Sequence, residues 1–227
     1  TQALRRQVGE GLLGDVYYIK AGWLRRTGIP GYGSWFTNKD LAGGGALLDI
    51  GVHYLDIALW TAGFPTPISV SGKVFTKFGN RRKGLGTWGA DICEGEHRFD
   101  VDDLATAFVR LDNGAVLTLE VSWAAYVAEQ GERYLKLMGT EGGAEISSRF
   151  ANDAPLRLFW EQDGLQADTS LHVKVDEFGH WREIAHFIAC VKGETEPLVT
   201  LDESLIVAKV LDAIYRSAET GAEVTIE

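Results

Sequence analysis

The sequence GGGALLDIGVHYLD, residues 43–56, joins a glycine triplet to an apolar helix that carries ionisable side chains. On the 3.6-residue period of an α-helix, one narrow stripe holds Asp49, His53, Asp56 and Trp60. Asp and His are rare in so apolar a helix unless they take part in chemistry or form a satisfied polar cluster. The stretch therefore predicts a central helix that carries the candidate site.

The pair of Asp49 and His53 suits acid–base chemistry. The two residues are four positions apart, so they are neighbours on a helix surface. A carboxylate next to an imidazole fixes its tautomer, which suits a general base that works near neutral pH. The glycines at 43–45 let the backbone approach another group closely, as a substrate pocket would require.

Two other interpretations fit the same residues. In a structural one, Asp49 and Asp56 bond backbone amides or hydroxyls, while His53 is a satisfied core histidine. In the other, the three side chains bind a metal ion, since one His and two carboxylates are ligand types of non-haem iron sites. Ligands at i, i+4 and i+7 on a straight helix span about 10 Å along its axis, however. We therefore expect no metal site.

Composition excludes several function classes. The 227 residues carry a net charge of −10, which argues against nucleic-acid partners because their binding proteins concentrate Lys and Arg. No run approaches the roughly 18 apolar residues of a membrane span. Cys93 and Cys190 form no CxxC pair, which indicates a reducing compartment and a cytoplasmic protein. The first residue is Thr1 rather than Met, which predicts a truncated chain.

Hydrophobic patterning predicts helices before and after a run of strands. We expect helices at 3–8, 46–62, 177–190 and 201–219, and strands at 15–24, 68–78, 104–111, 115–126, 133–138, 143–147, 156–160, 171–175 and 224–226. Consecutive hairpins build antiparallel sheet, and segregated helices then cover one face. The predicted fold is α+β, a large open, mainly antiparallel sheet with helices packed on one face, in one domain over residues 1–227.

A second glycine motif resembles a nucleotide site but lacks its context. Gly84-Leu85-Gly86-Thr87-Trp88-Gly89 matches the GxGxxG pattern that binds dinucleotides. That pattern needs an apolar strand before it and a helix after it. Polar residues precede the motif here and no helical pattern follows, so we interpret it as a flexible loop.

Residues 43–60 resemble the central helix in the C-terminal domain of the glucose–fructose oxidoreductase/inositol dehydrogenase/rhizopine-catabolism (Gfo/Idh/MocA) family. The family pattern GGG-x-L-x-D-x-G-x-H-x-x-D is filled at every fixed position. Segments 11–16, 137–142 and 211–218 are also similar to the family. The resemblance implies an NAD(P)-dependent oxidoreductase that acts on a secondary alcohol or ketone of a sugar or cyclitol.

The resemblance also assigns residues. His53 would accept the proton of a substrate hydroxyl, and Asp49 would orient His53 and hydrogen-bond a neighbouring hydroxyl. Trp35 and Lys39, on the long loop before the helix, would line the pocket of this small polyhydroxylated substrate, or pack as ordinary loop residues. Asp56 is assigned to holding the helix.

The family's Rossmann domain and its Glu-Lys-Pro segment are missing from the sequence. We therefore expect NAD or NADP in the full-length protein but no bound cofactor and no turnover in this chain. The family also implies a homo-oligomer through the open sheet. One strand face would either form that interface or be core beneath the helices: Leu117, Leu119, Val121 and Trp123. The alternative function is a stand-alone, non-catalytic binding or oligomerisation domain of the same fold.

Overall fold

The computed structural model describes residues 1–87, 98–128, 131–150, 156–172 and 179–227. Its strands are β1 (Val16–Leu24), β2 (Pro67–Phe75), β3 (Leu104–Leu111), β4 (Val116–Ser122), β5 (Glu132–Gly139), β6 (Gly142–Ser147), β7 (Leu156–Gln162), β8 (Leu165–Leu171) and β9 (Val224–Thr225). In these residues they form one sheet in the order β8-β7-β6-β5-β1-β4-β3-β2-β9. Within this described sheet, only β1 and β4 pair in parallel, and the other neighbours are antiparallel.

The helices of the described residues are α1 (Gln2–Gly9), α2 (Lys39–Ala42), α3 (Val52–Thr61), α4 (Gly179–Val191) and α5 (Leu201–Thr220). A π-helical turn, Leu47–Gly51, runs directly into α3. A capping box begins α5: Thr200 Oγ1 accepts from the Glu203 amide at 3.2 Å, and the Glu203 carboxylate accepts from the Thr200 amide at 2.7 Å. Within the described ranges, every helix is too short or too polar to cross a membrane.

One face of the sheet is apolar and lies beneath the helices. A row of paired positions across it consists of Gly72, Ala107, Leu119, Ala21, Leu135, Ile146 and Leu156. At the β2 end of this row α5 packs closely, because a Cβ on Gly72 would lie 2.8 Å from Ile214 Cγ2. The expected architecture of an open, mainly antiparallel sheet with helices on one face is confirmed.

The strand face proposed for an interface is part of this core. At most 1% of each side chain is exposed in Leu117, Leu119, Val121 and Trp123. They face the helices, so the interpretation of these residues as an outer interface is wrong and the core interpretation is confirmed.

The opposite face, which we call the outer face, is mostly polar. The row next to the core row consists of Ser71, Phe108, Thr118, Lys20, Lys136, Glu145, Arg157 and Ser170. Lys136 Nζ lies 3.1 Å from Glu145 Oε1, and Tyr134 Oη donates to Glu120 Oε2 at 2.7 Å. Burial and the Glu120 carboxylate raise the pKa of Tyr134 far above its usual value, so the phenol remains a donor.

None of the residues of α4 is buried, and the short α2 has no buried residue either. The exposed large apolar side chains of α4 recur at helical spacing: Trp181, Ile184, Phe187, Ile188 and Val191.

Cys93, Trp88 and Gly89, which figured in the sequence predictions, lie outside the described residues.

Candidate functional site

A buried carboxylate, Asp102, fixes the start of the π-helical turn. Its Oδ1 accepts the Gly45 amide at 2.8 Å, and its Oδ2 accepts the Leu47 amide at 2.9 Å. These amides are among the donors that a helix start leaves without intrahelical partners. Asp102 is only 4% exposed, so the two bonds also compensate its lost hydration.

Tyr215 of α5 completes this arrangement. Its Oη donates to Asp102 Oδ1 at 2.7 Å. Burial, together with the charge and hydrogen bond of Asp102, raises the pKa of Tyr215 far above its usual value. The hydroxyl therefore stays protonated, and α5 is tied to the start of the site-bearing helix.

The glycines at 44 and 45 allow close packing against other groups of this chain. A Cβ on Gly45 would overlap the carbonyl oxygen of Asp102, and one on Gly44 would overlap the Tyr215 hydroxyl. Gly43 has a φ of +77°, a conformation that side chains disfavour. The expectation that these glycines open towards a substrate is therefore corrected: the closely approaching groups belong to this chain.

Asp49 lies in the π-helical turn and bonds the sheet. Trp123, fully buried directly after β4, donates from Nε1 to Asp49 Oδ2 at 2.7 Å. The Val52 amide donates to the Leu47 carbonyl, five residues back, so the chain is wound more loosely here than in an α-helix. Because of this looser winding, Asp49 and His53 do not have the relative position of residues i and i+4 in a regular α-helix. No hydrogen bond among the described residues joins the two side chains.

His53 is exposed, so its interpretation as a buried core histidine is wrong. It lines a cavity of about 360 Å³ with Asp56 of the same helix and with Val199 and Val207 from the region of α5. Burial raises the pKa of Asp56; the Glu203 carboxylate raises it further, and His53 opposes both effects. The structure therefore brings His53 together with Asp56.

Trp35 and Lys39 lie on the segment before the central helix, as the sequence indicated. Trp35 is 55% exposed and stacks on Phe36 at 4.0 Å between ring centroids. Lys39 begins α2, and its Nζ lies 3.8 Å from Glu219 Oε1, with both side chains more than half exposed. Among the described residues, no contact joins Trp35 or Lys39 to Asp49 or His53.

Sequence reasoning missed a cleft beside Asp49, which we call the arginine cleft: Trp23, Arg25, Tyr54 and Arg133. The guanidinium carbons of Arg25 and Arg133 lie 3.9 and 5.5 Å from the Trp23 ring centroid. Tyr54 of α3 lies 5.9 Å from Trp23, centroid to centroid. Burial lowers the pKa of Arg25, and the nearby Asp49 charge opposes this. No local motif joins these residues, because Arg133 comes from β5, far along the chain.

The part of the second glycine motif that the structure describes does not fit a dinucleotide. A Cβ on Gly84 would overlap Ala124, and the Gly86 amide donates to the Ile29 carbonyl at 2.9 Å. Leu85 forms an isolated bridge with Ile29 rather than ending a strand. Separately, the described residues contain no group of three His, Cys, Asp or Glu that could hold a metal ion.

A protein-family model matches more than half of the chain. The model of the GFO/IDH/MocA C-terminal domain matches residues 1–145. This chain belongs to the GFO/IDH/MocA family. The resemblance inferred from residues 43–60 is confirmed, and the site-bearing helix lies within the matched part of this family member.

Similar proteins are sugar dehydrogenases or oxidoreductases by name. This chain is 33% identical to D-glucoside 3-dehydrogenase of Escherichia coli K12 over 228 positions. The match covers all of this chain and 61% of that relative. An oxidoreductase domain protein from Kribbella flavida superposes with a TM-score of 0.80 at 21% identity, over 100% of this chain and 63% of its own. Levoglucosan dehydrogenase, in complex with NADH and L-sorbose, superposes with a TM-score of 0.78 at 20% identity. The superposition covers 99% of this chain and 62% of that dehydrogenase. The chain thus spans about three-fifths of each.

Proposed function

We propose that this chain is the substrate-binding half of an NAD(P)-dependent oxidoreductase that interconverts a secondary alcohol and a ketone on a sugar or cyclitol. The observation that carries the proposal is the exposed imidazole of His53 on the same helix as the fixed carboxylate of Asp49, in a member of this family. The name D-glucoside 3-dehydrogenase of the Escherichia coli relative supports a sugar as the substrate.

His53 acts as the proton acceptor. Its side chain is exposed beside a cavity, so a substrate hydroxyl can reach its ring nitrogen. General-base catalysis requires heavy-atom contact of about 2.6–3.2 Å to the group that loses the proton. The lone pair of an imidazole ring nitrogen can accept that proton.

Asp49 orients His53 and accepts a hydrogen bond from a neighbouring substrate hydroxyl. The Trp123 indole fixes its Oδ2, while its Oδ1 has no hydrogen-bond partner among the described residues. One oxygen is thus held by the core and the other is available, which suits a positioning role. No hydrogen bond joins Asp49 to His53 in the described residues, so the proposal requires one to form when substrate binds.

Trp35 and Lys39 line the substrate pocket in this proposal. Trp35 offers an exposed aromatic surface, which suits the apolar face of a sugar ring. The ion pair of Lys39 with Glu219 is exposed and long, so breaking it to meet a substrate hydroxyl costs little.

The nicotinamide of NAD or NADP would supply the hydride acceptor. At the second glycine motif, the close packing of Gly84 on Ala124 does not suit a pyrophosphate, which supports assigning the cofactor to a nucleotide-binding domain outside this chain. The outer face of the sheet carries no helix in the described residues, which leaves it open to a second copy in a homo-oligomer. The protein is proposed to work in the cytoplasm.

The test is His53→Ala in the full-length protein, with turnover of a D-glucoside and NAD or NADP as the assay. We expect kcat to fall roughly 10²–10⁴-fold, because the proton acceptor is removed. His172→Ala is the matched control, since that exposed histidine lies at the end of β8, and its activity should not change. Activity of His53→Ala within a few-fold of wild type would refute the proposal.

A further inference from the structure

Asp49 is the carboxylate beside the arginine cleft, and the core holds one of its two oxygens. Asp49 Oδ2 accepts from Trp123, whereas Glu120, which accepts from Tyr134, lies on the outer face of the sheet. The Glu132 carboxylate, next to Arg133 in sequence, accepts from Arg149 at 2.8 Å. The local acidic groups are therefore not paired with the two arginines of the cleft.

Arg25 and Arg133 have no carboxylate partner and no side-chain hydrogen bond in the described part of the chain. Both lie against the Trp23 ring instead. Stacking uses the plane of a guanidinium and leaves its five N–H donors directed outwards in that plane. Both guanidinium groups thus lie at one indole, and no side-chain or backbone acceptor of the described residues bonds them.

This arrangement places two positive charges close to a single carboxylate, Asp49. Arg25 is half-buried, and the charge of Arg133 adds to the effect of burial in lowering the pKa of Arg25. The Tyr54 hydroxyl is close to both arginines, and burial keeps it protonated by raising its pKa. An anionic group between the guanidinium forks would relieve the repulsion and accept several hydrogen bonds.

We propose that Arg25 and Arg133 bind an acidic group of the substrate, a phosphate or a carboxylate. The cleft lies beside Asp49, so a sugar whose reacting hydroxyl is at Asp49 and His53 extends its acidic group over Trp23. Arg133 and Tyr54 also line a neighbouring cavity of about 250 Å³, which gives the group room. The inference rests on the proposed function in taking the ligand to be a sugar whose reacting hydroxyl lies at Asp49 and His53.

The experiment is isothermal titration of the purified protein, without cofactor, with D-glucose 6-phosphate, D-glucuronate and D-glucose. At least one of the two anions should bind about tenfold or more tightly than glucose, and added salt should weaken only that binding. The anion that binds identifies the acidic group as a phosphate or a carboxylate. If neither anion binds more tightly than glucose, the inference is overturned.

Variants locate the binding. Arg25→Gln and Arg133→Gln should each weaken binding of the anion about tenfold or more and leave glucose unchanged. The matched control is Arg110→Gln, because Arg110 also lies over an aromatic ring, Phe108, but is paired with Glu223 at 2.6 Å. An equal loss in Arg110→Gln, or none in the cleft variants, would overturn the inference. If Arg25→Gln fails to fold, the titration of Arg133→Gln alone tests the inference, because Arg133 is exposed.

These titrations contain no turnover, so they separate the two proposals. If the anion binds but His53→Ala keeps full activity, the anion site is supported and the proposed reaction is refuted. Loss of activity in His53→Ala without anion binding would retain the reaction and discard the acidic group.

Discussion

Replacing Tyr215 by Phe would test whether the buried Asp102 contact stabilises the start of the central helix. The substitution removes one hydroxyl and keeps the ring that packs beneath Gly44. It thereby deletes the 2.7 Å bond to Asp102 Oδ1 while leaving the two amide bonds of that carboxylate in place. The change therefore isolates one hydrogen bond to a buried charge.

The expected loss follows from the type of bond. Hydrogen bonds to charged groups contribute about 1.5–3 kcal/mol. Asp102 is 4% exposed, so water does not readily replace the lost donor and the loss should be about 2 kcal/mol. For a chain of this size, 1 kcal/mol corresponds to roughly 2–4 °C in Tm, which gives a decrease of about 4–8 °C.

The pH dependence supplies a second check. The folded state raises the pKa of Tyr215 above the unfolded value of about 10, so its stabilisation is complete below pH 10. It is lost as the pH rises above 10, because the unfolded chain releases the proton first. The stability difference between wild type and Tyr215→Phe should therefore be constant from pH 7 to 9 and shrink at higher pH.

Urea unfolding and thermal melting followed by circular dichroism would measure these differences. Tyr17→Phe is the control, because Tyr17 is 55% exposed, and its Tm should stay within about 1 °C of wild type. A Tyr215→Phe variant as stable as the control would refute the assigned role of the Asp102 contact.

Two further substitutions test neighbouring contacts. Gly45→Ala should cost roughly 1–3 kcal/mol or more in urea unfolding, because its Cβ would overlap the Asp102 backbone; unchanged stability would contradict the packing explanation of the glycine triplet. Trp123→Phe in the full-length protein should lower kcat about tenfold or more while KM changes only a few-fold, because Asp49 loses the indole that fixes it; kinetics like those of wild type would show that this bond does not position Asp49.

Much of the fold followed from local patterns. The strands expected at 104–111 and 115–126 are β3 and β4, which form a hairpin around Asp112-Asn113-Gly114, and α5 ends at Thr220 against a predicted 219. The last hairpin was predicted only in part. Its second strand is 165–171, which follows a turn at Asp163-Gly164 and has little apolar alternation to mark it; residues 173–175 of the predicted strand 171–175 lie outside the described residues.

The site was only partly predictable, because its contacts join distant segments. The spacing of Asp49 and His53 located the helix, but no sequence pattern marks the π-helical turn that changes their relation. Asp102 and Tyr215, which explain the glycine triplet, come from other elements of the chain. The arginine cleft likewise depends on the pairing of Trp23 with Arg133 across β1 and β5.

The central position of β1 has a consequence for how the chain folds. Tyr18 pairs with Val116 on one side and with Met138 on the other, so neither neighbour of β1 is close in sequence. The hairpins β3–β4, β5–β6 and β7–β8 close short loops, whereas the insertion of β1 closes very long ones. Non-local pairing of this kind slows folding, because the entropy of loop closure is lost before the contacts form. The first strand of the chain is therefore expected to join the sheet late, and the parallel β1–β4 pair would be completed after the hairpins on both sides of it.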